Sequence, residues 1–181
     1  IIRIVNKENG GHGSAINAGL AIARGKYVKV VDADDYCDTL CLDQLIAFLK
    51  EEDSDIILTD YVEDWAAGAY YVTNHLYDFM LPGKQYQIED LCFEGYGFNR
   101  HANILHTSTF KTSVLKSHPF KISEHCFYVD MELNMYSFLS ANTIKYYPIP
   151  LYYYFLGREG QSVSPASFKK NYKQHEHVIL K

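Results

Sequence analysis

Cysteine is too sparse and too irregularly spaced in this chain to organise it. The four are Cys37, Cys41, Cys92 and Cys126, with no Cys-x-x-Cys pair. That spacing excludes a disulfide framework and a zinc module, and the residues read as reduced thiols of a cytosolic protein. No run of about 18 apolar residues is present to span a bilayer, and no signal-peptide pattern occurs. The most apolar stretch, residues 146–156, carries Pro148 and Pro150 and reads as a core or edge segment. Excess positive charge is also lacking. A net charge of -5 argues against a general nucleic-acid binder, while leaving room for a local basic pocket that could take a diphosphate. There is no internal repeat and no low-complexity tract.

What remains is an ordinary globular composition. The 181 residues are 48% hydrophobic and 22% charged, about one domain with one substantial core. Aromatics reach 15%, with 16 tyrosines; such rings serve cores and interfaces more often than sugar clefts. The stretch that organises the chain is residues 26–32, Lys-Tyr-Val-Lys-Val-Val-Asp, running into Ala33, Asp34, Asp35 and Tyr36. Val28, Val30 and Val31 predict a buried strand flanked by helices. Asp32, Asp34 and Asp35 then crowd three carboxylates together, an arrangement that a hard divalent cation with phosphate oxygens relieves. In open α/β sheets such strand ends are where ligands bind. An Asp-rich turn with one helix-capping aspartate explains the same residues without any ligand.

Elsewhere the pattern is strand and helix in alternation. Residues 1–5 read as a strand, residues 9–13 as a glycine-rich turn, and residues 14–23 as a helix closed by Gly25. A helix from about Thr39 to Glu51 carries Leu42, Leu45, Ile46 and Leu49, with Asp38 as its N-cap. A strand at residues 55–59 completes a repeat that predicts a largely parallel sheet. Residues 61–66 and 69–73 suggest an antiparallel pair, residues 88–93 a short helix, and residues 104–110 a return to the sheet before a helix at 111–116. Asp130 opens a further helix, with Met131, Met135, Phe138 and Leu139 along one side. Residues 143–147 and 151–155 read as two short strands, and residues 169–181 as a final helix.

The ordered string Asn9-Gly10-Gly11-His12-Gly13-Ser14-Ala15-Ile16-Asn17-Ala18-Gly19, then Ala23-Arg24-Gly25-Lys26-Tyr27, then Asp32-Ala33-Asp34-Asp35, resembles the family 2 glycosyltransferases. These have a GT-A fold and use nucleotide-sugar donors. The resemblance is close over residues 3–36 and looser over 106–162. An Asp-x-Asp triplet alone is a weak signal, but the whole string in order is a specific one. It implies an α/β, Rossmann-like GT-A sheet, mostly parallel and flanked by helices. It also implies N-terminal truncation, because two strands and an acidic residue that holds the nucleotide base normally precede this point. A single catalytic domain is expected over residues 1–181, with 156–181 a C-terminal loop and helix.

The same resemblance assigns roles. Asn9, Gly10, Gly11 and Asn17 fall on the donor side, with the diphosphate near a helix N-terminus. Asp34 is expected to ligate Mg²⁺ or Mn²⁺, with Asp32 contacting the ion through water or holding the ribose. Asp130 is the expected general base, although the helix dipole alone also explains an aspartate at that position. Arg158, in a glycine-containing loop, is a candidate phosphate contact. The implied reaction is inverting transfer from a nucleotide-diphosphate sugar, expected to be UDP-linked, to a hydroxyl of a glycan or lipid-linked acceptor. Its setting would be bacterial surface glycan synthesis, in the cytoplasm or peripherally at the inner face of the membrane. Two departures are visible: Ile16-Asn17 stands where many relatives have Arg-Asn, and Val129 precedes Asp130 where Glu or an aromatic is usual. The competing readings are a metal-dependent nucleotidyl- or phosphoryl-transfer enzyme and a non-catalytic interaction module.

Overall fold

The computed structural model describes residues 2–65, 70–75, 77, 79–93, 105–117, 120–157, 161, 162 and 164–181. In chain order the elements are α1 (Gly11–Ile22), β1 (Tyr27–Val28), β2 (Tyr36–Cys37), α2 (Thr39–Glu51), β3 (Ile56–Trp65), β4 (Tyr70–Asn74) and β5 (Gln85–Gln87). Then follow α3 (Ile88–Phe93), a 3₁₀ turn (Leu105–Thr107), β6 (Ser108–Lys111), α4 (Thr112–Ser117), α5 (Val129–Ser140), β7 (Thr143–Leu156) and α6 (Pro165–Leu180). The sheet runs in the order β1-β6-β3-β7-β2, with β4 added to β3 and β5 to β7. Residues 61–65 and 70–74 form the expected antiparallel pair.

The mixed α/β architecture agrees with the sequence reading, but the sheet is not mostly parallel. Among the described residues only β3 and β7 pair in parallel, and the other pairings are antiparallel. The expected strand at residues 1–5 is not formed in its described part. Ile2 is 92% exposed and Ile4 82%, and neither has a ladder partner, without which an extended segment is not a strand. The expected strand at residues 26–32 shrinks to Tyr27–Val28. Among the described residues it is an edge strand paired with β6 alone, and Val31, beyond its end, is about half exposed rather than buried.

Side chains alternate across β3. Ile56 and Leu58 enter a core with Phe110, Leu133, Ile144 and Tyr146, whereas Ile57 turns to Leu45, Ile149 and Leu151 on the other face. On that second face lies α2, whose Asp38 caps it by accepting a hydrogen bond from Cys41 N at 2.8 Å. Its inward stripe is Cys41, Leu42, Leu45, Phe48 and Leu49, and Ile46 faces outward. Two further expectations are corrected. β7 runs unbroken through Pro148 and Pro150, because a register irregularity around Asp60 opposite Pro150 spares the ladder a missing N–H. Helix α5 buries Val129, Glu132, Leu133, Asn134 and Ser137 rather than its methionine side, and Met135 and Leu139 are exposed.

Candidate active site

The acidic turn at the end of β1 is built by hydrogen bonds from β7. The Tyr152 hydroxyl donates to Asp35 Oδ2 at 2.6 Å, and Phe155 N–H donates to Asp35 Oδ1 at 2.9 Å. Asp32 N–H in turn donates to the Tyr152 oxygen at 3.1 Å. Burial pushes the Asp35 carboxyl up, and these two hydrogen bonds oppose it. Asp35 is therefore committed to shaping the turn. That leaves Asp32 facing a cleft of about 810 Å³.

Asn9 and Gly11 line the same cleft, and so does Asp130 from the first turn of α5. Gly10 lies beside it, buried, with its carbonyl accepting from His125 N–H at 2.6 Å. His12 lines the cleft as well, and its Nε2 lies 3.0 Å from Asp32 Oδ1. The hydrogen bond to Asp32 raises the His12 pKa against the opposing effect of burial, and the charges of Asp130 and Asp34 add to it. The same bond depresses Asp32. Asp130 is shifted the other way. Burial pushes its carboxyl up, and the backbone N–H groups at the helix start and the nearby His12 offset only part of that. Asp34 does not line the cleft but is close enough for its charge to act on both His12 and Tyr154.

The floor is aromatic. His106 stacks on Tyr152 (ring centroids 5.0 Å) and on Tyr154 (5.2 Å), with Tyr61 edge-on at 4.5 Å. Beneath it the Lys29 ammonium donates to the His106 carbonyl at 2.7 Å. Burial brings Lys29 down to about 8. Burial, and then the Lys29 charge, hold His106 down to about 3, so its ring is neutral across the physiological range.

Two of the residues expected at the donor side stand apart. Asn17 is not in the cleft. Its amide donates to Ile122 O at 2.9 Å and Glu124 Oε1 at 3.3 Å, and its carbonyl accepts from Ile122 N–H at 3.0 Å. Both amide hydrogens are thereby committed to the 122–124 segment. Arg158 lies outside the described residues, although Ser162 of the same loop reaches the cleft. Sequence reasoning gave no role to His12, Lys29, His106, Tyr152 or Tyr154. His12 stood within the quoted glycine motif, but the others had no local signal, because only the folded sheet gathers them.

Among the described residues no three His, Cys, Asp or Glu side chains come together as a metal cage. Magnesium-type ions, however, are commonly held by one or two carboxylates plus substrate phosphates. Asp32, which lines the cleft, and Asp34, two residues on, are carboxylates of the type that donor set uses.

A family model described as glycosyl transferase family 2 matches residues 1–118. The chain belongs to glycosyl transferase family 2. Glycosyltransferase GlyG of Streptococcus pneumoniae is 28% identical over 116 residues, which are 59% of this chain and 36% of GlyG. The poly(ribitol-phosphate) beta-N-acetylglucosaminyltransferase TarS of Staphylococcus aureus is 26% identical over 159 residues, 87% of this chain and 26% of TarS. A crystal structure of S. aureus TarS 1-349 in complex with UDP-GlcNAc superposes with a TM-score of 0.66 at 22% identity. The match covers 97% of this chain and 48% of that one, and it shows the GT-A fold. The chain thus spans less than half the length of these relatives.

Proposed function

We propose that the cleft transfers a sugar from a UDP-linked donor to a hydroxyl acceptor, with inversion at the anomeric carbon, in the synthesis of a bacterial surface glycan. The observation that carries this reading is that Asp32 and Asp130, nearly a hundred residues apart in sequence, line one cleft with His12, which is bonded to Asp32 and feels the charge of Asp130. The donor diphosphate would lie against Asn9, Gly10 and Gly11 at the start of α1, where first-turn backbone N–H groups favour anions, with Gly11 N–H already donating to Asn9 Oδ1 at 3.0 Å. Asp34 and Asp32 would hold Mg²⁺ or Mn²⁺, which when bound offsets charge gathering on the departing diphosphate. Asp130, made more basic by burial, would take the proton of the attacking hydroxyl, a role that ordinarily contributes ~10²–10⁴-fold. The relatives support the substrate class: TarS is named for beta-N-acetylglucosaminyl transfer and crystallises with UDP-GlcNAc.

The test uses the full-length protein. Its thermal unfolding is followed with UDP, GDP and CDP, each with and without Mn²⁺, and UDP release from UDP-GlcNAc is then assayed. Stabilisation by UDP that grows with Mn²⁺, and a product whose anomeric NMR coupling reports inversion, are expected. Indifference to all three nucleotides, or a retained anomeric configuration, overturns the reading.

A further inference from the structure

The glycine-rich turn and Asn17 do something the donor-binding picture does not use: they grip the segment that leads into Asp130. Residues 122–125 run past the start of α1 and are bonded to it at both ends. Asn17 spans Ile122, accepting from its N–H at 3.0 Å and donating to its carbonyl at 2.9 Å, as a neighbouring strand would. At the other end His125 N–H donates to the Gly10 carbonyl at 2.6 Å. Between these points Gly13 is in direct contact with the segment, since a Cβ there would overlap the Ser123 carbonyl oxygen and press on Ile122. From the opposite side Ser123 N–H donates at 2.8 Å to Glu132, a buried residue of α5 two positions beyond Asp130. The segment is thus a strap between α1 and α5. It ends on His125 (φ 53°), and Tyr128 (φ 64°) at the N-cap of α5 is a second non-glycine residue in the left-handed region, a conformation that surrounding contacts must enforce.

The geometry points to Asn17 as a positioning residue: by clamping residues 122–125 onto α1 it sets where Asp130 stands relative to the His12–Asp32 side of the cleft. This rests on the proposed role of Asp130 as the base. The physical reason is proximity. A base held by helix α5 alone could drift with that helix, whereas a strap bonded to both walls fixes its reach, and an ångström of misplacement is costly in rate. Asn suits the task because one carboxamide both donates and accepts across the same peptide unit. Leucine, with no polar atoms, and serine, with a shorter reach, could not.

The experiment compares Asn17→Ala and Asn17→Asp with the parent in the full-length protein. Asn17→Asp keeps an acceptor for Ile122 N–H but loses the donor and faces Glu124. Gly13→Ala wedges the same seam by a different route. Three quantities are read: UDP affinity, the midpoint of Asp130 by ¹³C-carboxyl NMR titration, and UDP release from UDP-GlcNAc. Expected for Asn17→Ala is UDP affinity within about twofold, an Asp130 midpoint moved down toward the ordinary carboxylate range, and release slowed by roughly ten- to a hundredfold. Asn17→Asp should fall between. In the Asp130→Asn background Asn17→Ala should add no further loss, because it acts through the residue already removed. An unmoved Asp130 midpoint overturns the proposal, as does a fall in UDP affinity that matches the fall in rate. Undiminished UDP release by Asp130→Asn alone sinks the base assignment instead, and the titration shift would still report the clamp.

Discussion

Tyr152 reaches across from β7 and gives its hydroxyl hydrogen to Asp35 at 2.6 Å, and the same oxygen receives the N–H of Asp32 at 3.1 Å. One phenol therefore fixes both ends of the acidic turn. Tyr152→Phe keeps the ring stacked on His106 and removes only that oxygen. The expected cost is about 1–2 kcal/mol of stability, together with weaker UDP binding from a turn free to rearrange. Thermal melts and UDP titration calorimetry on this variant check it, and unchanged values for both would show that the turn holds itself.

Asp130 lies in surroundings that penalise its charged form, so it is expected to lose its proton at a higher pH than a free aspartate. A base must be deprotonated to work. The acid limb of the rate profile should accordingly lie above the ordinary aspartate range, with activity rising with pH through it. Asp130→Asn should abolish transfer while UDP affinity stays within about threefold, since uncharged asparagine fills the same space. A variant that keeps its rate would return Asp130 to the role of a helix-start residue.

His106 carries a stability prediction of definite sign. Folding holds its pKa near 3 against 6.5 for the free side chain, chiefly through burial. Between those values the unfolded chain binds a proton that the folded chain refuses. Stability should therefore fall as the pH drops below about 6.5, by up to about 1.4 kcal/mol per unit from this residue alone. His106→Phe, which retains a ring between Tyr152 and Tyr154, should flatten that slope in urea titrations run from pH 7 to pH 4. The same slope in parent and variant would assign the acid sensitivity to the carboxylates.

Glu52 behaves in the opposite sense. Burial would raise its pKa, but the Lys145 ammonium at 2.6 Å and hydrogen bonds from Ser54 and Asp53 bring it down to about 2. Its contribution is fully present above the free-glutamate range and is lost as the pH falls toward 2. Lys145→Ala leaves this buried carboxylate without its cation and should cost on the order of 3 kcal/mol at pH 7. Less should be lost at pH 3, where the glutamate of the unfolded chain, with its ordinary value of 4.5, is mostly protonated. Chemical denaturation at the two pH values distinguishes this from simple loss of lysine packing, which has no such pH dependence.

Local signals were legible and pairing was not. Asp38 before an apolar stripe announced α2, and Asp130 before a helical run announced the start of α5, because capping and periodicity are properties of a few adjacent residues. The orientation of the sheet depends on which distant strands meet, and an apolar run such as residues 55–59 looks the same beside a parallel or an antiparallel neighbour. Pro148 and Pro150 read as a break because the irregularity that accommodates them shows only in the register of β7 against β3. The inward face of α5 was misjudged because Glu132 and Asn134 look like surface residues until their burial is seen. Glu132 is bonded to Ser123. Asn17 was assigned to the donor by motif, and nothing local announced its bonds to a loop more than a hundred residues away.

The fourteen residues of β7 also impose a ruler. Tyr146 meets the buried Asp60 near one end, and six positions on Tyr152 holds the acidic turn. Neighbouring side chains on a strand point to opposite faces, and the register irregularity at Asp60 lies inside this interval, so the spacing of the two contacts belongs to β7 and its irregularity together. Substitutions along the interval can be absorbed one at a time. Deleting a single residue there would change the register that seats Tyr152 on the acidic turn, so this part of the chain is expected to bear changes of identity better than changes of length.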